Sequence, residues 1–356
     1  MISSKQYVPV LRWKQSEQDA LRTMFPSDTP RMAPLIIIQR PAPKAGAKSA
    51  IGTVQACLDR DATAATIAWS GRPLVVDATI LDGHAPVGVQ SAASYLFSRF
   101  ASLHPDYTPL SELSKSANFQ SDVRVAAVGR GAAIRLRDTD LANPNLGASL
   151  TTLLAALGLA AGQIDLIVDL AFLPLVPPPR IANLGALLAG IPYLSDWRSF
   201  VLTSGVFPAN LTGFGVGNHF LARDDWALWH GLLSTPLPRY PTFGDYTTQH
   251  PLPVSLPIGA VPSASVRYAL PDRWLIMRGN SVAMARGGGY GQYIAHAHNL
   301  VASPHFMGAA YSAGDAYIEG RTHPGAKSGS AQTWLTAGVN HHMTLTVRQL
   351  ASLPGF

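Results

Sequence analysis

The sequence predicts an α/β fold, a (β/α)8 TIM-like barrel followed by a C-terminal α+β extension, and three observations lead to it. Apolar strand-like runs recur eight times, at intervals of about 25 to 40 residues, as parallel βαβ units require. A helix-compatible segment lies in each gap between them. From Thr247 onward this alternation stops. The predicted barrel therefore covers residues 1–246, and the extension covers 247–356 and packs over the barrel mouth. A doubly wound open sheet is the alternative.

Each strand and helix follows from its local pattern. The predicted strands are apolar runs at 7–12, 34–39, 73–77, 108–110, 133–137, 164–169, 200–203 and 240–245. The helices between them have apolar residues at helical spacing and cover 16–24, 50–59 with an Ala/Thr-rich continuation to 69, 90–103, 118–128, 146–159, 181–188 and 224–233. Several strands begin at a proline or one residue before it, where a missing backbone donor is tolerated.

The extension begins with a proline-rich link, 251–262. Two runs, 265–270 and 273–278, flank a Pro271-Asp272 turn and predict a β-hairpin. A glycine-rich loop then leads into a helix over about 291–301. In the last segment, a short apolar helix from Trp334 is expected to precede the polar turn Asn340-His341-His342 and a strand-like run from Thr344.

Composition sets limits on the class of protein. With 356 residues and 47% hydrophobic positions, the chain buries a large core. Its net charge of +6 comes from scattered basic residues, so a nucleic-acid footprint is not indicated, although a preference for anions is compatible with it. Cys57 is the single cysteine, which excludes an intrachain disulfide. Neither a signal peptide nor an apolar stretch long enough for a membrane is present, so we expect a cytoplasmic protein without a membrane partner.

Polar residues follow most of the predicted strands. Active sites of (β/α)8 barrels lie at the carboxyl ends of the strands. The residues at these ends are Arg12, Lys14, Gln39, Arg40, Asp77, Arg135, Arg137, Asp169, Ser204, Asp245 and Tyr246. Each of them points either into the mouth or toward the helices. For a single member, a structural salt bridge is an equally good interpretation.

Three of these residues are acids: Asp77, Asp169 and Asp245. Carboxylates suit a divalent metal, and a buried carboxylate with a raised pKa suits acid–base chemistry. Their spacing does not specify a metal. The alternative is that they pair with Arg12, Arg40 or Arg137 as buried structural ions.

The stretch Ala285-Arg-Gly-Gly-Gly-Tyr290-Gly291 lies between a strand and a helix. Its amides suit a phosphate at the helix N-terminus, with Arg278 and Arg286 supplying charge. It matches neither a Walker loop nor the dinucleotide fingerprint, and a lid or a plain turn is the alternative.

Histidines are the other candidates for chemistry. His296 and His298 lie two apart on a helix, and His341 and His342 are adjacent, so neither pair is suited to chelate one ion together. A histidine acting as a base needs an orienting partner, for which Asp315 is the candidate. We expect Asn340 and one of the two adjacent histidines to lie over the carboxyl ends of the strands, and the other histidine to be structural.

Several motifs together resemble the bacterial and phage beta protein family. They are the start 7–14 with Glu17 and Ala20-Leu21, the strand 133–137, Arg267-Tyr268, 274–279, Gln292-Tyr293, the element Ser312-Ala-Gly-Asp315-Ala-Tyr317-Ile, and 334–350. The resemblance covers nearly the whole chain and implies a role in phage–host conflict, since that family is associated with prophages and mobile elements. Gln39-Arg40 stands where the family is expected to have a carboxylate.

Together these features predict a mouth pocket for an anionic ligand, with phosphate or a nucleotide as the candidates and hydrolysis as one use of the site. The proposed catalytic residues are His341, His342, Asp315, Asp245 and Asp77, and the proposed binding residues are Arg12, Lys14, Arg40, Arg137, Asp169, Arg267, Arg278 and Asn340. A non-catalytic protein that recognises a phage or host protein is the alternative. A divalent metal is compatible with the acids but is not required by them.

Overall fold

A computed structural model describes residues 2–3, 5–41, 50–174, 178–253, 261–283 and 288–353 of the chain. The predicted phosphate loop is partly outside this range, because Ala285, Arg286 and Gly287 are not among the described residues. The same holds for most of the proline-rich link.

Eight parallel strands close into a barrel, which confirms the predicted fold and excludes an open sheet. In chain order the strands of the protein are β1 Val8–Leu11, β2 Leu35–Ile37, β3 Leu74–Asp77, β4 Tyr107–Glu112, β5 Ala132–Arg137, β6 Ile164–Phe172, β7 Ser199–Gly205, β8 Gly217–Ala222, β9 Thr242–Asp245, β10 Ser263–Ala269 and β11 Arg273–Ser281. The barrel order is β1 to β7 and then β9. Closure is made by β9 against β1, where Val8 pairs with Gly244.

Helices cover the outside of the barrel and build most of the extension. They are α1 Gln15–Arg22, α2 Ala50–Trp69, α3 Ala92–Leu103, α4 Ala117–Ala126, α5 Asp138–Leu141, α6 Leu146–Leu157, α7 Pro178–Ala189, α8 Asp224–Leu232, α9 Gln292–Val301, α10 Ala313–Gly320 and α11 Ala331–Ala351. Serine caps fix several starts: the side chains of Ser91 and Ser116 accept the amides of Ser94 and Phe119. No helix among the described residues is long and apolar enough to cross a membrane.

Two apolar layers follow from the alternation of side chains along the barrel strands. The inner layer contains Val8, Val10, Leu35, Val75, Leu110, Ala133, Ile167, Val201 and Tyr246. The outer layer, between strands and helices, contains Leu11, Ile36, Val76, Ile134, Leu166, Leu202 and Phe243. This alternation determines which polar residues at the strand ends enter the mouth.

The extension contains a three-stranded antiparallel sheet in the order β10, β11, β8. The hairpin β10–β11 confirms the predicted pair of runs. Strand β8 was not predicted. It lies between β7 and α8, inside the segment 1–246, and pairs with β11. The extension therefore takes one strand from within the barrel segment.

The predicted turn and strand at 340–350 are wrong, because Ala331–Ala351 is one continuous helix. β-Branched residues such as Thr344, Thr346 and Val347 favour a strand locally, but the helix packs against α1, α10 and β10, and this packing overrides the local preference. Close approach to β10 requires Gly338, where a Cβ would lie 2.6 Å from the carbonyl oxygen of Arg267.

Candidate functional site at the barrel mouth

Charged side chains complete the inner layer at the carboxyl ends of the strands. Because alternate residues share a face, a residue two positions beyond an inward apolar side chain also points inward. The inward residues found in this way are Arg12 after Val10, Asp77 after Val75, Glu112 after Leu110, Arg135 and Arg137 after Ala133, and Asp169 after Ile167. The mouth therefore combines acids and arginines from β1 and from β3 to β6.

Arg135 is the buried centre of this group. Its Nη1 lies 2.6 Å from Oδ2 of Asp77, and its Nε donates to Oε1 of Glu112 at 2.6 Å. Only 3% of the Arg135 side chain is exposed. Burial lowers the pKa of the guanidinium, but Asp77 and Glu112 outweigh this effect and raise it, so Arg135 stays protonated.

Arg137 continues the chain of charges toward solvent. Its Nη1 donates to Oδ2 of Asp169 at 2.6 Å, and its Nη2 and Nε donate to Oε1 of Glu112 at 3.0 and 3.2 Å. The hydroxyl of Tyr246 also donates to Oδ2 of Asp169, at 2.5 Å. We call this set the mouth network: Asp77, Arg135, Glu112, Arg137, Asp169 and Tyr246. In contrast to Arg135, 35% of the Arg137 side chain is exposed.

The carboxylate of Asp77 is held in its charged form. Burial raises its pKa, but attraction to Arg135 and hydrogen bonds from Thr79 outweigh the burial, so that the pKa is lowered. For Tyr246, burial and the neighbouring Asp169 both raise the pKa well above the usual value. The mouth network therefore holds a charged Asp77 carboxylate and a protonated Tyr246.

Arg12 and Glu17 form the edge of the mouth at β1. The Arg12 guanidinium donates from Nη2 to the carbonyl oxygen of Pro251 at 2.6 Å, and its buried Nε has no acceptor among the described residues. Glu17 is fully buried and accepts the amides of Arg12 and Lys14 at 3.0 and 3.2 Å. Burial, opposed by these two hydrogen bonds, raises the pKa of Glu17 to about 7.

The three aspartates predicted at strand ends each make the same kind of hydrogen bond to the backbone. Asp77, Asp169 and Asp245 each accept, through Oδ1, the amide of the residue two positions later at 2.9 Å. The residues that donate to Asp169 and Asp245 are Ala171 and Thr247, and both have a φ of 52°. Left-handed backbone is costly for residues other than glycine. The strand ends at β6 and β9 are therefore strained.

Asp245 does not face the mouth, because it alternates with Phe243 of the outer layer. Its Oδ2 lies 2.7 Å from Nε2 of His342, and its Oδ1 accepts the hydroxyl of Tyr7. The imidazole stacks on Trp274 with 4.5 Å between ring centroids. Both His342 and Asp245 are fully buried. This pair joins α11 to the outside of the barrel and lies away from the mouth network.

His341 forms a similar histidine–aspartate pair, with Asp315, within the extension. Nδ1 of His341 lies 2.8 Å from Oδ2 of Asp315, whose Oδ1 accepts the hydroxyl of Tyr268 at 2.7 Å. Asp315 is thus the partner of a histidine, as the sequence predicted, but both side chains are fully buried. Asn340 bonds the backbone of Ala20 and Gly314, so it lies between α1 and α10 and not over the strand ends. The expectation for Asn340 is therefore wrong. In contrast, His342 contacts Asp245, the last residue of β9, and His341 is internal to the extension.

The remaining predicted residues are dispersed. Lys14 and Arg40 are exposed beyond β1 and β2. Arg267 donates to the carbonyl oxygen of Thr248, and burial lowers its pKa to about 10. Arg278 donates to the carbonyl oxygen of Phe214, within the region of the extension sheet. Of the predicted residues, the structure brings Asp77, Arg137 and Asp169 together with Arg12 at the mouth.

Glu112 is the member that sequence reasoning missed. The predicted fourth strand ended at Leu110, whereas β4 continues to Glu112. The signal was present, since Thr108, Leu110 and Glu112 continue one alternation. Within the described residues, no group of three or more His, Cys, Asp or Glu side chains is placed to hold a metal ion.

The model of the family described as Beta protein matches residues 7–348, which is nearly the whole chain and includes both the barrel and the extension. No curated protein matches the sequence.

Proposed function

Since the chain belongs to the Beta protein family, we propose that it acts in phage–host conflict by binding a small anionic, phosphate-bearing ligand at its barrel mouth. The observation that carries this proposal is the position of Arg137. It is anchored by two carboxylates at its inner side and keeps about a third of its side chain exposed at its outer side.

The geometry of Arg137 leaves donors for a ligand. A guanidinium has more N–H groups than the contacts to Glu112 and Asp169 use. Among the described residues, the remaining donors on Nη1 and Nη2 have no acceptor. A planar, pre-oriented guanidinium suits a phosphate or carboxylate, because both can accept two parallel hydrogen bonds. The buried network holds Arg137 in place, which reduces the entropy that binding costs.

Arg12 supports the same end of the barrel as a binding site. Its guanidinium is buried, its Nε lacks an acceptor among the described residues, and burial lowers its pKa. The hydroxyl of Tyr246 lies within the electrostatic influence of both Arg12 and Arg137. An anion near Tyr246 would meet these two guanidinium groups together with the Asp169 carboxylate, which already accepts from Arg137 and from the Tyr246 hydroxyl. Such an anion also offsets the cost of keeping Arg12 buried and charged.

One observation favours the alternative, a non-catalytic protein that recognises a phage or host protein. Every histidine proposed for acid–base chemistry here is buried against its own aspartate. Charged carboxylates in the mouth network are also already paired with arginine. If this alternative holds, the network is structural, and removal of Arg137 does not change the binding of any small anion.

A thermal-shift screen with inorganic phosphate, nucleotides and divalent metals distinguishes anion binding from the non-catalytic alternative. A ligand that binds only the folded chain raises Tm in proportion to the logarithm of its concentration. We expect phosphate-bearing compounds to raise Tm for the wild type and for Arg22→Gln, a control that removes an exposed arginine on α1, but not for Arg137→Gln. Phage plating on cells that express the three proteins tests the biological setting: protection should be lost with Arg137→Gln alone. Equal shifts for all three proteins would contradict the anion-binding proposal.

A further inference from the structure

Two aromatic rings come a few residues after members of the mouth network in the chain and are not part of it. Phe172 at the end of β6 and His250 after β9 have ring centroids 4.8 Å apart with an interplanar angle of 54°. Both are partly buried and keep some exposed surface. The His250 ring is oriented by Nδ1, which lies 2.8 Å from the carbonyl oxygen of Phe207.

The ring pair is tied to the same backbone that anchors Arg137. Phe172 follows three residues after Asp169, and His250 follows four residues after Tyr246. Asp169 and Tyr246 are joined by a hydrogen bond, and Asp169 accepts from Arg137. Three residues of extended chain span at most about 10 Å. The backbone of Phe172 therefore lies within about 10 Å of Asp169, the residue that holds Arg137, and this is about the length of one nucleotide.

Backbone distortion places both rings in this position. The pairing of β6 with β7 shifts register between Asp169 and Phe172, where Ala171 is left-handed. In the other segment, Thr247 is left-handed between Tyr246 and His250. A bulge re-aims the side chains that follow it, and strain in residues other than glycine is retained where the fold or the function requires it.

Gly205 is the residue that lets the segment with His250 approach the strands. A Cβ at Gly205 would lie 2.8 Å from Cγ of Pro251 and 3.1 Å from Cβ of Tyr246. Gly205 is also the β7 partner of Phe172. Gly205 therefore allows the turn 246–251 to lie directly on the strand that neighbours Phe172.

We propose that the mouth ligand is a nucleotide, whose base stacks on the Phe172–His250 pair while its phosphate meets Arg137. This inference rests on the anion site proposed above and adds the class of ligand. Stacking on an aromatic ring tolerates any base, because every base has a π face. The structure therefore assigns a preference for nucleotides over phosphates without a base.

Calorimetric titration of the full-length chain tests the inference with a series of probes: inorganic phosphate, ribose 5-phosphate, a purine and a pyrimidine nucleoside monophosphate, and the free nucleosides. We expect the nucleotides to bind about tenfold more tightly than ribose 5-phosphate, which is the scale of one base–aromatic stack. Nucleotides that bind no more tightly than ribose 5-phosphate would overturn the inference. This comparison uses the wild type alone and does not depend on a variant that folds.

The variant Phe172→Leu keeps an apolar side chain but removes the ring. It should reduce nucleotide affinity to the level of ribose 5-phosphate and leave the affinity for inorganic phosphate unchanged. Phe220→Leu, which alters an exposed ring on β8, is the matched control and should bind as the wild type does. An unchanged nucleotide affinity in Phe172→Leu would also contradict the inference.

The two proposals fail in different ways. If inorganic phosphate and ribose 5-phosphate bind and depend on Arg137, but the base adds nothing, only the nucleotide inference is wrong. If no phosphate compound binds the wild type, the anion site itself is wrong.

Discussion

His342 and Asp245 form a fully buried pair, with Nε2 of the imidazole 2.7 Å from Oδ2 of the carboxylate. The pair connects the last helix of the chain to the final barrel strand. Burial lowers the pKa of His342, although Asp245 opposes this effect. The pair therefore contributes to the attachment of the extension to the barrel and not to chemistry in solvent.

Loss of the imidazole should destabilise the protein. His342→Ala leaves the Asp245 carboxylate buried without this partner and opens a cavity beside Trp274, so we expect the free energy of unfolding to fall by about 3 kcal/mol. Chemical denaturation measures it. His298→Ala, at an exposed position on α9, is the control and should change the free energy by less than about 0.5 kcal/mol. Equal losses in the two variants would contradict the structural role.

Glu17 should give the stability a distinctive pH dependence. Its pKa is raised from an ordinary 4.5 to about 7, first because it is buried. The folded state thus holds a proton that the unfolded state has released, and the resulting stabilisation is complete below about 4.5 and is lost as pH rises through about 7. Relative to Glu17→Gln, the wild type should be more stable at pH 5 than at pH 8, by about 3 kcal/mol at most.

The same pair of proteins supplies the check on this prediction. Unfolding by denaturant at several pH values gives the difference between wild type and Glu17→Gln directly. A difference that stays constant between pH 5 and pH 8 would show that Glu17 titrates normally.

Gly338 should not tolerate a methyl group. A Cβ there meets the carbonyl oxygen of Arg267 at 2.6 Å, so α11 must move away from β10. We expect Gly338→Ala to cost about 1 to 3 kcal/mol of stability, although alanine is the better helix former. Gly320→Ala, on α10 with open space around the new methyl group, should be neutral or slightly stabilising. Similar thermal melting of both variants would be inconsistent with this packing.

Arg135 is the residue on which the mouth network depends for stability. Arg135→Gln leaves Asp77 and Glu112 without their shared cation, so we expect a loss of about 3 to 5 kcal/mol. Arg137→Gln removes a cation that is a third exposed and should cost less. Denaturant titration of both variants tests the order. A larger loss of stability for Arg137→Gln than for Arg135→Gln would contradict the assignment of Arg135 as the buried centre of the network.

The barrel was predictable because its strands bury both faces, and this leaves apolar runs at regular intervals. The last two residues of β4 were not predicted, because the run of apolar residues ends at Leu110. The strand itself continues through the polar residues Ser111 and Glu112. Strand β8 carries no apolar alternation that marks one buried face, since most of its residues are exposed. It is held by pairing with β11, a contact distant in sequence.

At the site, sequence reasoning identified Arg12, Asp77, Arg137 and Asp169 from their places at strand ends, but it could not determine the face on which Asp245 lies. A shift of one residue moves a side chain from the mouth to the outer layer. For a related reason, the sequence did not show which histidine contacts which aspartate. In a helix, adjacent residues diverge by about 100°, so His341 and His342 contact different aspartates on different elements.

We propose that Arg137 presents free guanidinium donors to an anion at the barrel mouth. Calorimetric titration of inorganic phosphate into wild type, Arg137→Gln and the control Arg22→Gln tests it most directly. We expect wild type and Arg22→Gln to bind with equal affinity and Arg137→Gln to bind about tenfold more weakly or not at all, as loss of a charge-assisted hydrogen bond requires. Undiminished binding by Arg137→Gln, or an absence of binding by the wild type, would contradict the claim.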